Sequence, residues 1–422
     1  MHTLPVDDPE VGILIDQETS RLQNTINLIA AENHAPDSIL ATQGSVFSMK
    51  AAEGYPNARF HAGCAHTDAL EHLAVKRCRK LFGAEHANVQ PHSGVAANLS
   101  VYFAMLDIGD RVLSMKLSHG GHLSHGATAS ITSRCFDFSH YGVSPKTERI
   151  DYDTVASIAK ERQPRMIVAG ASSYPRLIDY ARLADIAAGV SAYFMVDMAH
   201  IAGLVAGNAI PSPVPHADFV TFTTYKTLMG GRGGVVLCTH PHAARIDRSV
   251  FPGCQGTPAM NMVAAKAVCF HRAGKPAFRE IQRQTLLNAC CLAKELAARG
   301  YRIVSDGTDN HIVLIDLRSK GRTGENAEKQ LEAAGLIVNR NPIPHDRQRP
   351  HKASGLRLGT PAITARGMKE PEVKHIATWI DTVLNNQDRQ QVLQEVAHEI
   401  AAVCERFPVH RNGIRQSQSG RS

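Results

Sequence analysis

Short apolar runs that alternate with helical stretches dominate the middle of the chain and constrain its fold most. The runs carry no regular polar alternation and cover residues 111–115, 166–169, 193–196, 219–223 and 235–238. Such runs are typical of strands that are covered on both faces. Apolar residues at helical spacing lie around them, at residues 68–82, 152–162 and 177–188. The alternation predicts an α/β domain with a large, mainly parallel sheet.

The pattern changes after about residue 275, which indicates a second domain. A long helical stretch covers residues 276–298, strand-like runs follow at 312–317, 336–339 and 355–359, and a helix is predicted from about 371 to 385. A chain of 422 residues is long enough for two or three domains. We predict an N-terminal arm or helix (1–35), a large α/β domain (36–275), a smaller C-terminal α+β domain (276–410) and a disordered tail (411–422).

Composition limits the classes of protein and partner. Hydrophobic residues make up 43% and charged residues 20%, which is ordinary for a globular protein. Nine Cys without a CxxC pair favour reduced thiols, and neither a signal peptide nor a membrane span is visible. The net charge of +7 is spread along the chain. We therefore expect a cytoplasmic protein with neither nucleic acid nor membrane as a partner.

Polar residues follow several of the predicted strands, where open α/β sheets bind ligands. Lys226 stands between hydroxyl residues and the glycines of 230–234. A lysine after a strand is usually a surface residue, but a crowded, desolvated lysine is a nucleophile for an imine. Asp197 ends an apolar strand and needs a partner, either a structural cation or the protonated pyridine nitrogen of pyridoxal phosphate (PLP). Glu53, in a turn, could carry a proton.

Two further motifs suggest an anion site and an aromatic contact. Ser93 and Gly94 form a turn before an Ala-rich helix, whose N-terminus favours a phosphate. His119, His122 and His125 are spaced by three, as zinc ligands can be. Glycines interrupt them, and no carboxylate or Cys lies nearby in sequence. We therefore predict no metal site, and an imidazole that stacks on a planar ring.

These motifs, in this order, resemble the serine hydroxymethyltransferase family, which are fold-type-I PLP enzymes. The resemblance covers about residues 20–408 and rests on LIAAEN (28–33), EGYP (53–56), NVQPHSG (88–94), HGGHLSHG (119–126), GASSYP (170–175), VDMAHIAGLV (196–205), TTYKTLMGGRGG (223–234), GTDNH (307–311) and GLRLGTPA (355–362). It implies a PLP-dependent transferase that cleaves or forms the Cα–Cβ bond of serine and exchanges the one-carbon unit with tetrahydrofolate.

The resemblance also implies roles for individual residues. Lys226 would bond covalently to PLP, Asp197 would pair with the pyridine nitrogen, His122 would stack on the ring and Arg357 would bind the substrate carboxylate. The implied catalytic residues are Lys226, Glu53, His122 and Thr223. The implied cofactor site consists of Ser93, Gly94, His122, Ser172, Asp197, His200, Tyr225, Lys226, Gly256 and Thr257. The implied substrate site consists of Arg357, Ala31, Ala51 and His61, and the folate site of Leu117, Gly121, Leu123 and Asn341.

The family also implies an assembly with shared sites. Residues 53–61 and 253–258 would reach the active site of a neighbouring subunit, so the resemblance implies a homodimer or tetramer.

Five positions depart from the family pattern. Ala51 and His61 stand where Tyr is usual, Ala31 where Ser is usual, Tyr225 where His is usual, and Thr257 where Gly is usual. Loss of the ring at position 51 opens space beside the substrate. The pair at 51 and 61 is similar to that of 2-methylserine hydroxymethyltransferases, so serine and 2-methylserine both stay open as substrates.

Two other functions stay open from the sequence. A folate-independent threonine aldolase or transaldolase would use the same PLP chemistry. The other is an inactive relative that holds PLP or binds RNA, and the slight positive charge is the only support for it.

Overall fold

The computed structural model describes residues 7–386 and 389–409. Its strands are β1 Ile26–Asn27, β2 Gly54–Tyr55, β3 Ala58–Arg59, β4 His86–Asn88, β5 Arg111–Met115, β6 Asp137–Tyr141, β7 Met166–Ala169, β8 Tyr193–Asp197, β9 Phe219–Thr223, β10 Gly234–Cys238, β11 Arg302–Ile303, β12 Ile312–Asp316, β13 Leu336–Ile337, β14 Asn339–Asn341 and β15 Gly355–Gly359. Its helices are α1 Pro9–Asn24, α2 Asp37–Gln43, α3 Ala65–Phe82, α4 Gly94–Met105, α5 Thr132–Cys135, α6 Tyr152–Arg162, α7 Tyr180–Ala188, α8 Ala202–Ala206, α9 Ala243–Arg248, α10 Met260–Ala273, α11 Pro276–Ala298, α12 Gly324–Ala333, α13 Pro361–Ala365, α14 Glu370–Asn385 and α15 Gln390–Arg406.

The largest sheet has seven strands in the order β4-β10-β9-β8-β7-β5-β6. Strands β6, β5, β7, β8 and β9 are parallel, whereas β10 runs antiparallel to both β9 and β4. Every residue of β7, β9 and β10 is buried. The strands lack polar alternation because both faces of the sheet are covered. The predicted large, mainly parallel sheet is confirmed.

Helices on the two faces of this sheet form two separate apolar clusters. Leu113 faces the cluster that includes residues of α3, α6, α7 and α10, and its neighbour Val112 faces the cluster that includes residues of α4. This alternation follows from the period-2 geometry of a strand. The carboxyl ends of β7, β8 and β9 therefore emerge between two helical layers, where the candidate site lies.

A second unit is built on the antiparallel sheet β11-β12-β15-β14. Its apolar cluster includes residues of α11, α12, α14 and α15, together with Ile26 and Leu28 from the N-terminal segment. Strand β1 pairs in parallel with β13, so the start of the described chain packs on this unit.

Helix α11 belongs to both units. Phe278 packs in the cluster of the large sheet, whereas Leu292 and Leu296 pack in the cluster of the smaller sheet. Two ion pairs also join the units, between Arg176 and Asp309 and between Glu148 and Arg302. One helix therefore crosses the junction between the two units. The predicted domain boundaries at residues 35 and 275 stay predictions.

Several predicted elements differ at their ends. The helix predicted at 177–188 begins at Tyr180, because the Asp179 side chain accepts the backbone N–H of Arg182 and caps the helix there. The strand predicted at 336–339 is divided into β13 and β14 by Val338. The predicted tail at 411–422 lies outside the described residues. Within the described ranges, every helix is too short or too polar to cross a bilayer.

Candidate active site

A pocket opens where β7, β8 and β9 end and α4 begins. It is lined by Ser93, Gly94, Val95, His122, His125, Ala171, Ser172, Asp197, Ala199, His200, Thr223, Tyr225 and Lys226. Eight of the ten residues assigned to the cofactor from the resemblance are among them; Gly256 and Thr257 are not. The pocket lies at the carboxyl ends of parallel strands, which is where open α/β sheets bind ligands.

Asp197 is the one carboxylate among the residues that line the pocket. Its Oδ2 atom accepts hydrogen bonds from Nδ2 of Asn98 (2.8 Å) and from Nε2 of His125 (3.1 Å), and Oδ1 accepts the backbone N–H of Ala199 (3.0 Å). Burial alone would raise the pKa of Asp197, but the hydrogen bond from His125, helped by Asn98, holds it well below its usual range. The carboxylate is therefore anionic, as required to keep a bound pyridine nitrogen protonated.

His122 presents a neutral ring to the same pocket. Its Nδ1 atom accepts the backbone N–H of Ser124 (3.2 Å) and lies 2.8 Å from the Ser124 hydroxyl, so its proton sits on Nε2. Burial lowers the pKa of His122 to about 4. A neutral imidazole can pack on a flat ring without adding charge to the pocket.

Lys226 brings a buried amine to the pocket. The residue is 7% exposed, and its Nζ atom has no hydrogen-bonding partner within the described part of the chain. Burial lowers the pKa of Lys226 to about 8, with Asp197 opposing and Arg357 adding to this effect. The amine is therefore more readily deprotonated than an exposed lysine, which makes it a nucleophile near neutral pH.

The start of α4 offers an anion site. Ser93 caps the helix, and its Oγ atom accepts the backbone N–H of Ala96 (3.1 Å). The first N–H groups of a helix have no partner within that helix, and those of Gly94 and Val95 lie at the pocket. A Cβ atom on Gly94 would lie only 2.6 Å from Cγ2 of Thr223. Glycine therefore allows the start of α4 to pack against Thr223, and the free N–H groups there suit a phosphate.

Arg357, on β15 of the smaller unit, points to the large unit. It donates hydrogen bonds to the carbonyl oxygen of Ser172 (2.8 Å) and to Oδ1 of Asn339 (3.1 Å). Burial lowers the pKa of Arg357 to about 10, so the guanidinium stays charged. No carboxylate of residues 7–386 or 389–409 forms an ion pair with it. A partly buried cation of this kind can bind a carboxylate bidentately.

His200 and Tyr225 complete the lining with aromatic rings. The imidazole of His200 is stacked on that of His311, with ring centres 5.6 Å apart. Burial lowers the pKa of His200 well below its usual value, so the ring is neutral. The guanidinium of Arg232 lies 4.6 Å from the centre of the Tyr225 ring.

Five assigned residues lie outside this pocket and form a separate group. Oε1 of Glu53 accepts a hydrogen bond from the hydroxyl of Thr257 (2.8 Å), and Gly256 lies beside the same carboxylate. Ala51 and His61 are exposed. The carbonyl oxygens of Ala51 and His61 both lie within 4.0 Å of Sγ of Cys64, so the two departures from the family pattern are neighbours.

The residues assigned to folate and Ala31 lie around the pocket and do not line it. The side chains of Leu117 and Leu123 are 45% and 58% exposed, on either side of Gly121. Asn341, on β14, donates to the carbonyl oxygen of Pro342. Ala31 follows Ala30, against which Gly359 of the Arg357 strand packs.

Two residues of the site carried no assigned role. Asn98 bonds Asp197 from α4, and His125 bonds it from the loop after β5. Each is a buried polar residue four or three positions from an assigned residue, Gly94 or His122. The histidine triplet draws attention to His125, whereas Asn98 gives no signal beyond its place one helical turn after Gly94. Their shared partner, Asp197, lies 99 and 72 residues away.

The structure brings a carboxylate to two of the histidines, so the prediction that none completes such a set is wrong. The ligand atoms of His122, His125 and Asp197 lie within 4.8 Å of one another. Sequence proximity could not show this, because β8 delivers Asp197 from a distant part of the chain. His119 is not in the group, since its Nδ1 accepts the backbone N–H of Val143 (3.1 Å). The absence of a metal stays a prediction.

The family model for serine hydroxymethyltransferase matches residues 4–380. The chain belongs to the serine hydroxymethyltransferase family. The resemblance and the predicted fold class are thereby confirmed, since this family has the fold of type-I PLP enzymes.

Serine hydroxymethyltransferases are PLP-dependent transferases of one-carbon metabolism that use an amino acid and a folate. The pocket fits PLP by its own chemistry. It combines an unpartnered buried amine at Lys226, an anionic Asp197 and a helix N-terminus at Gly94. These groups suit an aldehyde, a pyridinium nitrogen and a phosphate, respectively.

Proposed function

We propose that this chain is a PLP-dependent hydroxymethyltransferase that breaks and forms the Cα–Cβ bond of serine or 2-methylserine and exchanges the one-carbon unit with tetrahydrofolate. The main support is that Arg357, a cation without a carboxylate partner in the described structure, bonds to Ser172 at the rim of the pocket that holds Lys226. An α-amino acid requires both an amine-reactive centre and a site for its carboxylate.

Each residue of the site has a separate role in the proposed reaction. Lys226 supplies the neutral amine that bonds to PLP, and Asp197 keeps the proton on the ring nitrogen. PLP, when bound, accepts the electron pair that remains on Cα when the Cα–Cβ bond breaks. Arg357 binds the carboxylate and fixes Cα, while His122, Thr223 and Tyr225 hold the ring in place. Loss of the β-hydroxyl proton to a base then releases formaldehyde as the bond breaks.

Glu53 is the proposed base, acting in the pocket of a second copy. Glu53, Ala51, His61, Gly256 and Thr257 lie outside the pocket of their own chain, as a shared active site requires. The same segment exposes apolar side chains: Met49 is 84% and Phe60 75% exposed. Such exposure in a monomer favours an interface. We propose a homodimer or a tetramer, with a cytoplasmic location as a further prediction.

The space opened at residue 51 favours 2-methylserine as a second substrate. Ala51 and His61 are neighbours across Cys64, so the two changes alter one surface. Replacing a phenol by a methyl group leaves room for an extra methyl on Cα. The deciding measurement is kcat/KM for 2-methylserine against L-serine, each with tetrahydrofolate. Far faster turnover of L-serine would overturn the enlarged pocket.

A folate-independent threonine aldolase or transaldolase is the alternative. The exposed Leu117 and Leu123 favour the folate-dependent function, because they offer an apolar surface beside the pocket for a ring. Rapid cleavage of L-threonine that does not respond to tetrahydrofolate would favour the alternative.

Two experiments test the whole proposal. In the first, the purified protein is incubated with PLP, reduced with borohydride, digested and analysed by mass spectrometry. We expect the pyridoxyl mass on Lys226. In the second, unreduced protein with PLP and tetrahydrofolate is screened for products with serine, 2-methylserine, threonine, and D-alanine plus formaldehyde. A label on another lysine, or none, would overturn the proposed chemistry.

A further inference from the structure

A second buried lysine lies close to the pocket but does not line it. Lys266, on α10, is 1% exposed. Its Nζ atom donates hydrogen bonds to the carbonyl oxygens of Val89 (2.6 Å), Pro91 (3.0 Å) and Gly234 (2.9 Å). All three acceptors are backbone atoms, so the side chain joins three peptide groups from two segments of the chain.

The number of acceptors matches a charged amine. An ammonium group has three N–H donors, whereas a neutral amine has two. Burial lowers the pKa of Lys266 to about 7, with Cys78 and Glu71 opposing this effect, so the amine needs a nearby anion to stay fully protonated at neutral pH. No carboxylate forms an ion pair with Nζ within the described ranges. A buried charge without a counterion is costly, so its position calls for an anion nearby.

The three carbonyl groups belong to the segments that carry the phosphate turn. Val89 and Pro91 lie between β4 and Ser93, and Gly234 opens β10. The N–H of Gly234 donates to the same Pro91 oxygen (2.9 Å), and a Cβ atom on Gly234 would overlap the carbonyl of Ser93. Lys266 therefore joins the two segments to each other, next to the point where the Ser93 turn begins.

The cavity offers few cations for a phosphate. Among the residues that line it, Lys226 is the only lysine or arginine, and its amine is assigned to the aldehyde. Lys266 is a buried cation whose Nζ atom bonds to the carbonyl oxygen of Pro91, two residues before Ser93. A Cβ atom on Gly233 would overlap Cε of Lys266, so the ammonium has little freedom to move away.

We propose that Lys266 is a positioning residue for the cofactor phosphate: its ammonium group holds the Ser93–Gly94 turn through three backbone carbonyls and places a positive charge behind it. This inference rests on the proposed PLP function. It differs from a purely structural role, which would stabilise the fold without favouring a phosphorylated ligand.

The test compares two ligands that differ only in the phosphate. Pyridoxine 5′-phosphate and pyridoxine lack the aldehyde, so neither bonds to Lys226. Isothermal titration calorimetry measures both affinities for the unmodified full-length chain in its cofactor-free form, for Lys266→Met, and for Lys80→Met as a control on the exposed face of α3. We expect Lys266→Met to weaken pyridoxine 5′-phosphate binding about 10- to 100-fold and pyridoxine binding less than about threefold. The control should match the unmodified protein.

An equal loss of affinity for both ligands, or an unchanged affinity for pyridoxine 5′-phosphate, would overturn the inference. If the unmodified protein binds neither ligand, the proposed PLP function itself fails. If Lys266→Met does not fold, Lys266→Gln, which is neutral but keeps two donors, is measured in the same way. A crystal structure of the unmodified enzyme with PLP decides the matter without a variant: Nζ of Lys266 turned away from Pro91 would refute it.

Discussion

The side-chain amide of Asn98 donates a hydrogen bond of 2.8 Å to Oδ2 of Asp197. The Oδ1 atom of the same amide accepts a hydrogen bond of 2.5 Å from the hydroxyl of Thr221, which fixes its orientation. Asn98 thus acts on the ring-nitrogen site through the carboxylate, from the same helix that begins at the phosphate turn. One helix sets the distance between the two ends of the cofactor site.

Removing that amide should weaken cofactor binding. In Asn98→Ala, Asp197 loses one of two hydrogen bonds to Oδ2. The pKa of Asp197 should therefore rise, and its interaction with a pyridinium should weaken. We expect about tenfold weaker PLP binding, measured by equilibrium dialysis. Ser100→Ala is the control, since the Ser100 hydroxyl bonds only within α4. Unchanged PLP affinity in Asn98→Ala would refute the positioning role.

The buried amine of Lys226 predicts a pH dependence. Its pKa is lowered to about 8, and only the neutral amine attacks an aldehyde. The rate at which the cofactor-free protein bonds to PLP should rise with pH through about 8 and then level off, as followed by visible absorbance. Lys226→Arg should show no covalent bond and no transferase activity. A rate that keeps rising to pH 10 would indicate an unperturbed lysine.

Arg357→Ala should impair substrate binding more than cofactor binding. Losing a buried partner of a carboxylate costs about 3–5 kcal/mol, or roughly 10²- to 5 × 10³-fold in affinity. We expect the KM for serine to rise by that order while PLP still bonds to Lys226. Arg182→Ala, which removes an exposed arginine paired with Asp153, is the control and should change neither value. An unchanged KM in Arg357→Ala would remove the residue from its proposed role.

Ala51→Tyr should change the substrate preference. A phenol at this position fills the space that an extra methyl on Cα would need. We expect turnover of 2-methylserine to fall at least about tenfold relative to serine. Ala52→Ser, at a buried neighbouring position, controls for general disturbance of the segment. Retention of 2-methylserine turnover by Ala51→Tyr would contradict the steric argument.

A shared site predicts complementation between two inactive variants. Lys226→Arg removes the amine from a chain's own pocket, and Glu53→Gln removes the proposed base from the partner's pocket. Co-expressed chains should form mixed dimers in which one of the two pockets has both groups. Activity should therefore return to a measurable fraction of the unmodified enzyme, although each variant alone is inactive. If the mixture stays inactive while mixed dimers are present, Glu53 and Lys226 act within one chain.

Local signals in the sequence predicted the strands well. Residues 111–115, 166–169 and 219–223 match β5, β7 and β9 at both ends, because an apolar run bounded by turn residues has few other structures open to it. The polar residues that follow the strands predicted the place of the pocket, with Lys226, Asp197 and Ser93 in it, and the family's motifs supplied most of its other residues. Neither Asn98 nor the approach of Asp197 to His125 was visible, since long-range pairing in a parallel sheet leaves no local pattern.

Helix α11 contributes side chains to the apolar clusters of both units, from Phe278 at one end to Leu296 at the other. Neither cluster can come apart without removing packing surface from its neighbour. Heat or urea should therefore unfold both units in one cooperative transition. The reactive amine and the carboxylate-binding guanidinium then lose their relative positions in that same transition.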